Sequence, residues 1–211
     1  EYQDRTELGH KYGYPQDVRI ISRFGFIVGW KCYDALLDQL GPKIKETPNL
    51  KVQFLTSFHF AAKEESLSKY RNLMTICRKY EIEKQVHVIT DFLPDETAIE
   101  RLSMSDIGLL YAPVHTYSVS AAAEMFVSAR LPIVVSDSSH FTNIQEGCWR
   151  SGSLDLNEYV TLLSTVIDTP LRDIEDKRRE LEVRYKKTNW VEVGIQHVSL
   201  YNKILEGKVD G

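Results

Sequence analysis

The chain has 211 residues, 43% of them hydrophobic and 27% charged, with a formal net charge of −4. That balance describes a globular protein with ample material for a buried core, as one large domain or two small ones. It gives no basic surface for nucleic acid, no apolar run near the ~18 residues that span a bilayer, and no signal-peptide core in the opening EYQDRTELGHKYGYPQD.

Residues 1–17 carry no strand pattern and read as a lead-in from something upstream or a wrap around the fold's edge. From Arg19 strand-like and helix-like segments alternate. VRIISRFGFI is a buried-strand run, and WKCYDALLDQLGPKI places Tyr33, Leu36, Leu37 and Leu40 on one helical face. LKVQFLTSF is a second strand. ESLSKYRNLMTICRKYEI follows with Leu67, Tyr70, Leu73, Met74, Cys77 and Tyr80 as a helical stripe. KQVHVITDF is a third strand, and Pro94 with Asp95 opens the next helix, Asp serving as its cap. DIGLLYAP is a fourth strand, YSVSAAAEMFVSAR a helix and LPIVVSD a fifth strand. After Phe141 come a short strand in EGCWRSGS and three helices, in LNEYVTLLSTVID, LRDIEDKRRELEVRYKK and NWVEVGIQHVSLYNKIL. The last of these has an apolar side made by Trp190, Val193, Leu200, Tyr201 and Ile204; the tail EGKVDG frays. Serial βα units of this length predict an α/β fold: a doubly wound, Rossmann-like parallel sheet with helices on both faces.

Cys32, Cys77 and Cys148 lie far apart without a CxxC pair, which reads as free thiols in a reducing, cytoplasmic compartment. The histidines form no HxxxH pair, and no metal site is predicted. Ligands of doubly wound sheets bind beyond the carboxyl ends of the strands, where the strand order reverses. Three loops end there: FGFIVGWK, TDFLPD and APVHTYSVS. None holds a GxGxxG or a GxxxxGK[ST]. YSVSAAAE has two readings. Its serines cap a helix, or the same helix entry cradles a phosphate through its N–H groups and dipole. Lys31, read as the start of its helix, is either a solvated surface lysine or a partner for such an anion.

Four segments in order are similar to the C-terminal, donor-binding domain of a GT-B glycosyltransferase of the large retaining family 4. FGFIVGWKCYDALLDQL resembles the family's first strand, loop and helix. DFLPDETAIERLSMSDIGLLYAPV, AAAEMFVSARLPIVVSDSSHFTNI and TNWVEVGIQHVSLYNKIL resemble its later segments, so the likeness runs from Asp17 to Leu205. It implies one half of a GT-B fold over residues 18–206, with residues 1–17 leading in from a missing N-terminal acceptor domain and residues 207–211 a tail. It also implies a nucleotide-sugar donor, UDP- or GDP-linked, and no cofactor or metal ion. Nucleic acid is not a partner, and any peripheral membrane association would fall to the missing domain.

By the same resemblance Gly25, Phe26, Lys31, Ser118, Val119 and Ser120 surround the diphosphate, and Asp91, Phe92 and Leu93 the base. The family's Arg after the loop glycine is Phe26 here. Its two glutamates eight positions apart fall on Tyr117 and Met125; Glu124, one residue away, is the candidate for the ribose. These departures keep open a non-catalytic nucleotide-binding or interaction domain. A sugar-nucleotide epimerase, which shares the architecture, is the third reading. The closing helix would leave an apolar patch exposed where the missing domain packs.

Overall fold

The computed structural model describes residues 5–115 and 120–206. Strands β1 (Arg19–Phe24), β2 (Leu50–Leu55), β3 (Val86–Ile89), β4 (Ile107–Leu110), β5 (Ile133–Val135) and β6 (Cys148–Arg150) form one sheet in the order β3-β2-β1-β4-β5-β6, every pairing parallel. Helices α1 (Arg5–Lys11), α2 (Tyr33–Glu46), α3 (Lys63–Tyr80), α4 (Asp95–Ser103), α5 (Ala121–Ser128), α6 (Leu156–Ile167), α7 (Leu171–Thr188) and α8 (Trp190–Leu205) complete the described chain. The chain is therefore the Rossmann-like α/β fold that the segment alternation predicts.

The sheet is buried on both faces because apolar side chains occupy both phases of its strands. Val52, Phe54, Ile107, Leu109 and Val134 face one core with Leu36, Leu37 and Leu40 of α2, Leu73 of α3 and Leu163 of α6. Their neighbours Leu55, Leu110, Ile133 and Val135 face the other, with Leu102 of α4 and Phe126 of α5. Such strands have no polar phase, so only their length and β-branching separate them from buried helix in the sequence.

Residues 5–17, expected as a lead-in or a wrap around the edge, are packed on this domain. Leu8 of α1 and Tyr14 are 2% and 4% exposed and close a third cluster with Val18, Ile20 and Met104. Asp95 is not the cap of α4: Pro94 holds that position and no side chain caps the helix there, while Asp95 is its first residue. At the far end, α8 is capped by Asn189, whose side chain accepts from Glu192 N at 3.0 Å. It buries none of its residues: Trp190 is 91% exposed and Tyr201 57%.

Candidate functional site

The strand order reverses between β1 and β4, and a cleft of about 460 Å³ opens at the carboxyl ends of those two strands. Phe24, Leu110, Tyr111, Ala112, Val114 and Phe141 give it apolar walls. Its polar lining is Arg23, Lys31, Ser120 and His140, with Trp30 at the side of Lys31; among the described lining residues there is no Asp or Glu.

The β1–α2 loop is shaped around Gly25, whose φ of +118° is a conformation that residues with a Cβ rarely adopt. A Cβ at that position would fall 2.5 Å from Lys31 Nζ. Gly25 thus leaves room for the lysine amine against the backbone, and Tyr33 OH donates to the Gly25 carbonyl at 2.8 Å to hold the loop. The loop continues into a 3₁₀ turn, Gly29–Lys31, and Cys32 in the left-handed region (φ 52°) separates that turn from α2. Lys31 therefore does not stand in the first turn of α2, as its sequence position suggested. Burial, and after it the nearby Arg23 charge, pull the Lys31 ammonium down to about 8. Among the described residues no carboxylate offsets it.

Opposite, Ser120 caps α5: its Oγ accepts from Ala123 N at 3.3 Å. The capping reading of that serine is right as far as it goes. Ala121 and Ala122, in the first turn, also line the cleft. First-turn N–H groups have no carbonyl partner within their helix, and the dipole adds partial positive charge there. The cleft is thus lined by a buried ammonium and by a helix N-terminus. An anion with an apolar neighbour is what such walls bind best. Trp30 and His140, from the loops after β1 and β5, stack at its edge with ring centroids 6.1 Å apart and planes 17° apart.

Of the residues singled out in the sequence, Lys31 and Ser120 meet on this cleft, and Gly25 borders it through its contact with Lys31. Ser118 and Val119 lie outside the described residues. Phe26 does not line the cleft and packs edge-on against His59, centroids 5.0 Å apart. Asp91 and Phe92 are exposed beyond β3, two strand spacings, about 10 Å, from β1, and Leu93 packs on the α4–α5 side core. Glu124 is held by Asn143, whose Nδ2 donates to its carboxylate at 2.9 Å, and is not among the lining residues. One residue of offset on a helix turns a side chain by about 100°, and here it turns Glu124 toward the loop after β5.

Sequence reasoning missed Arg23, Trp30, Tyr111 and His140. The available signal was an arginine inside the otherwise buried run VRIISRFGFI, two residues before the loop glycine. Among the described residues no three His, Cys, Asp or Glu side chains gather to hold a metal ion, and no helix is long and apolar enough to cross a membrane.

No protein-family model and no curated protein sequence matches the chain. Solved structures do. The C-terminal domain of LpcC, a glycosyl transferase group 1 family protein from Francisella tularensis, superposes with a TM-score of 0.72 at 11% identity, covering 88% of this chain and 93% of that one. HepE from Anabaena, solved in complex with UDP and glucose, gives 0.73 at 11% identity over 94% of this chain and 52% of that one. The α,α-trehalose 6-phosphate synthase of Burkholderia multivorans gives 0.68 at 10% identity over 98% and 50%. The fold is that of the C-terminal half of a GT-B glycosyltransferase, and the chain spans about half the length of the latter two proteins.

Proposed function

We propose that this chain is the donor-binding half of a metal-independent glycosyltransferase, taking a UDP- or GDP-linked sugar. The observation that carries the reading is that Lys31 and the first turn of α5 line one switch-point cleft in which the described lining residues include no carboxylate. A diphosphate there would receive the ammonium from one side and backbone N–H groups from the other. Both gain in strength as negative charge builds on the departing diphosphate, which is the role a metal ion would otherwise fill. HepE, of the same fold, was solved with UDP and glucose. The acceptor-binding half would rest on α8, whose apolar side chains stand in solvent.

Calorimetric titration with UDP and GDP tests the reading. Dissociation constants in the micromolar-to-millimolar range are expected for a half-site, unchanged by EDTA. Lys31→Ala should weaken binding by about 1.5–3 kcal/mol, the worth of a charge-assisted hydrogen bond. Equal affinity in both proteins removes Lys31 from the site.

A second reading, a non-catalytic nucleotide-binding module, is favoured by one observation: Glu124 is engaged by Asn143 instead of lining the cleft. The two readings part on the sugar. A donor site touches the sugar, so its affinity for nucleotide sugars depends on which sugar is attached, whereas a module that reads only the nucleotide binds them alike.

A further inference from the structure

Trp30 lines the cleft and is 53% exposed, and its indole belongs to none of the core clusters that build the domain. The fold gains little from a large apolar ring there. The ring is nonetheless held. His140 stacks beside it with planes 17° apart, and Lys31 Nζ lies 5.4 Å from its centroid. His140 stands in a 3₁₀ turn, Ser139–Phe141, that Ser138 fastens: its Oγ accepts from His140 N at 3.3 Å and donates to the Val114 carbonyl at 2.5 Å. The two rings come from the loops after β1 and β5, on either side of β4, so the pair spans the carboxyl end of that strand. A half-exposed tryptophan at the mouth of a cleft, its orientation set by neighbours, is the make-up of a binding hot spot.

We propose that Trp30, steadied by His140, is a specificity-determining residue of this cleft, its ring taking the C–H face of a pyranose attached to the diphosphate. The inference rests on the nucleotide-sugar reading for that attachment. A pyranose carries its hydroxyls around its edge and C–H groups on its faces. Those hydrogens are weakly positive, and the face of an aromatic ring is negative, most so for indole. Which face of the sugar is free of axial hydroxyls differs between epimers, so a flat ring discriminates among hexoses where a diphosphate contact does not. The sheet gives the direction. α5 packs on the same core as Leu93, the candidate for the base, whereas Trp30 leads into α2 on the opposite face. A diphosphate lying between Lys31 and the first turn of α5 therefore turns its nucleoside toward Leu93 and its other end, the sugar, toward Trp30. A nucleobase also stacks on indole, but it cannot enter between these two rings. At 6.1 Å they are closer than the roughly 7 Å, two contact distances of ~3.5 Å, that a flat ring between them needs.

Calorimetry with UDP, GDP and their hexose conjugates on wild type, Trp30→Ala and Trp30→Phe tests the proposal, with melting curves to report any loss of fold. The tightest-binding nucleotide sugar should lose on the order of 10-fold in Trp30→Ala and less in Trp30→Phe, while its free nucleoside diphosphate changes by less than about 2-fold. Saturation-transfer NMR on wild type should carry magnetisation from indole protons to the sugar ring, with Trp30→Phe identifying the share that comes from Trp30. Should Trp30→Ala fail to fold, that measurement decides. The proposal is overturned if the nucleoside diphosphate and its sugar conjugate lose affinity equally, which would put the base or the phosphates on the ring. It is equally overturned if neither loses affinity, or if the sugar protons receive no saturation from Trp30. A wild type that binds UDP or GDP and takes every attached hexose alike would keep the nucleotide reading and remove this inference. Methyl α-glucoside saturated from the indole in wild type but not in Trp30→Ala, with no nucleotide bound, would do the reverse. A wild type that binds none of the probes would remove both.

Discussion

The two ends of β1 treat charge in opposite ways. At the amino end, Arg5 donates to Asp106 at 2.7 Å, and the same carboxylate oxygen accepts from Ile20 N at 2.7 Å. Arg19 is spent on the Ile167 and Thr169 carbonyls, and Arg178 donates to the Ser105 carbonyl at 2.8 Å. At the carboxyl end, Arg23 and Lys31 stand together with no Asp or Glu among the described lining residues, and burial holds the lysine down to about 8. At the first end Asp106 balances Arg5, and carbonyls take the donors of Arg19. At the second, no carboxylate among the described lining residues balances the charge, which is the feature the proposed anion site rests on.

Breaking each end should therefore have opposite effects on stability. Asp106→Ala removes the carboxylate partner of half-buried Arg5 and the acceptor of Ile20 N, and should cost about 1–3 kcal/mol in urea unfolding, since a buried N–H is left without a partner. Lys31→Met should go the other way and stabilise the ligand-free chain at pH 7 by on the order of 1–2 kcal/mol. The sign follows from the lysine's lowered folded-state value. Between about 8 and 10.5 the unfolded chain holds a proton that the folded chain has released, so Lys31 makes stability rise with pH through that window. Its cost to the fold is full below about 8. Unfolding curves at pH 7 and 10 should show the wild-type-to-mutant gap shrinking at the higher pH; a gap that is constant would mean Lys31 is solvated.

Smaller effects sharpen the comparison. Ser120→Ala should cost about 1 kcal/mol through the lost cap of α5 while leaving the first-turn N–H groups in place, so UDP affinity should fall less than in Ser120→Phe, which puts a ring into the cleft. Trp190→Ala on exposed α8 should change stability by less than about 0.5 kcal/mol. A large loss there would show that α8 packs on the domain after all.

The strands and helices were legible because each carries its own signal. Leu36, Leu37 and Leu40 keep a helical spacing, and IVV in β5 is β-branched and short. Residues 5–17 were not legible. Leu8 and Tyr14 are single apolar residues in a polar stretch, and only the pocket formed by Val18, Ile20 and Met104 makes them core. At the site, Lys31 and Ser120 could be placed by motif and loop position. Arg23 could not, because an arginine in a strand run says nothing of which carbonyls will take it; Tyr111, which supplies one, lies 88 residues on. Glu124 shows the same limit in reverse. Its helix position was readable, but its direction depended on where α5 begins and on Asn143, 19 residues later.

The central claim is that Lys31 is an unneutralised ammonium awaiting a diphosphate. Proton uptake on UDP binding tests it most directly, by calorimetry at pH 8 in buffers of different ionisation enthalpy. An anion beside the lysine favours its charged form, so a group that titrates at about 8 in the empty cleft should take up about half a proton at that pH, and Lys31→Met should take up none. UDP binding with a buffer-independent heat, or with the same uptake in Lys31→Met, would contradict the account.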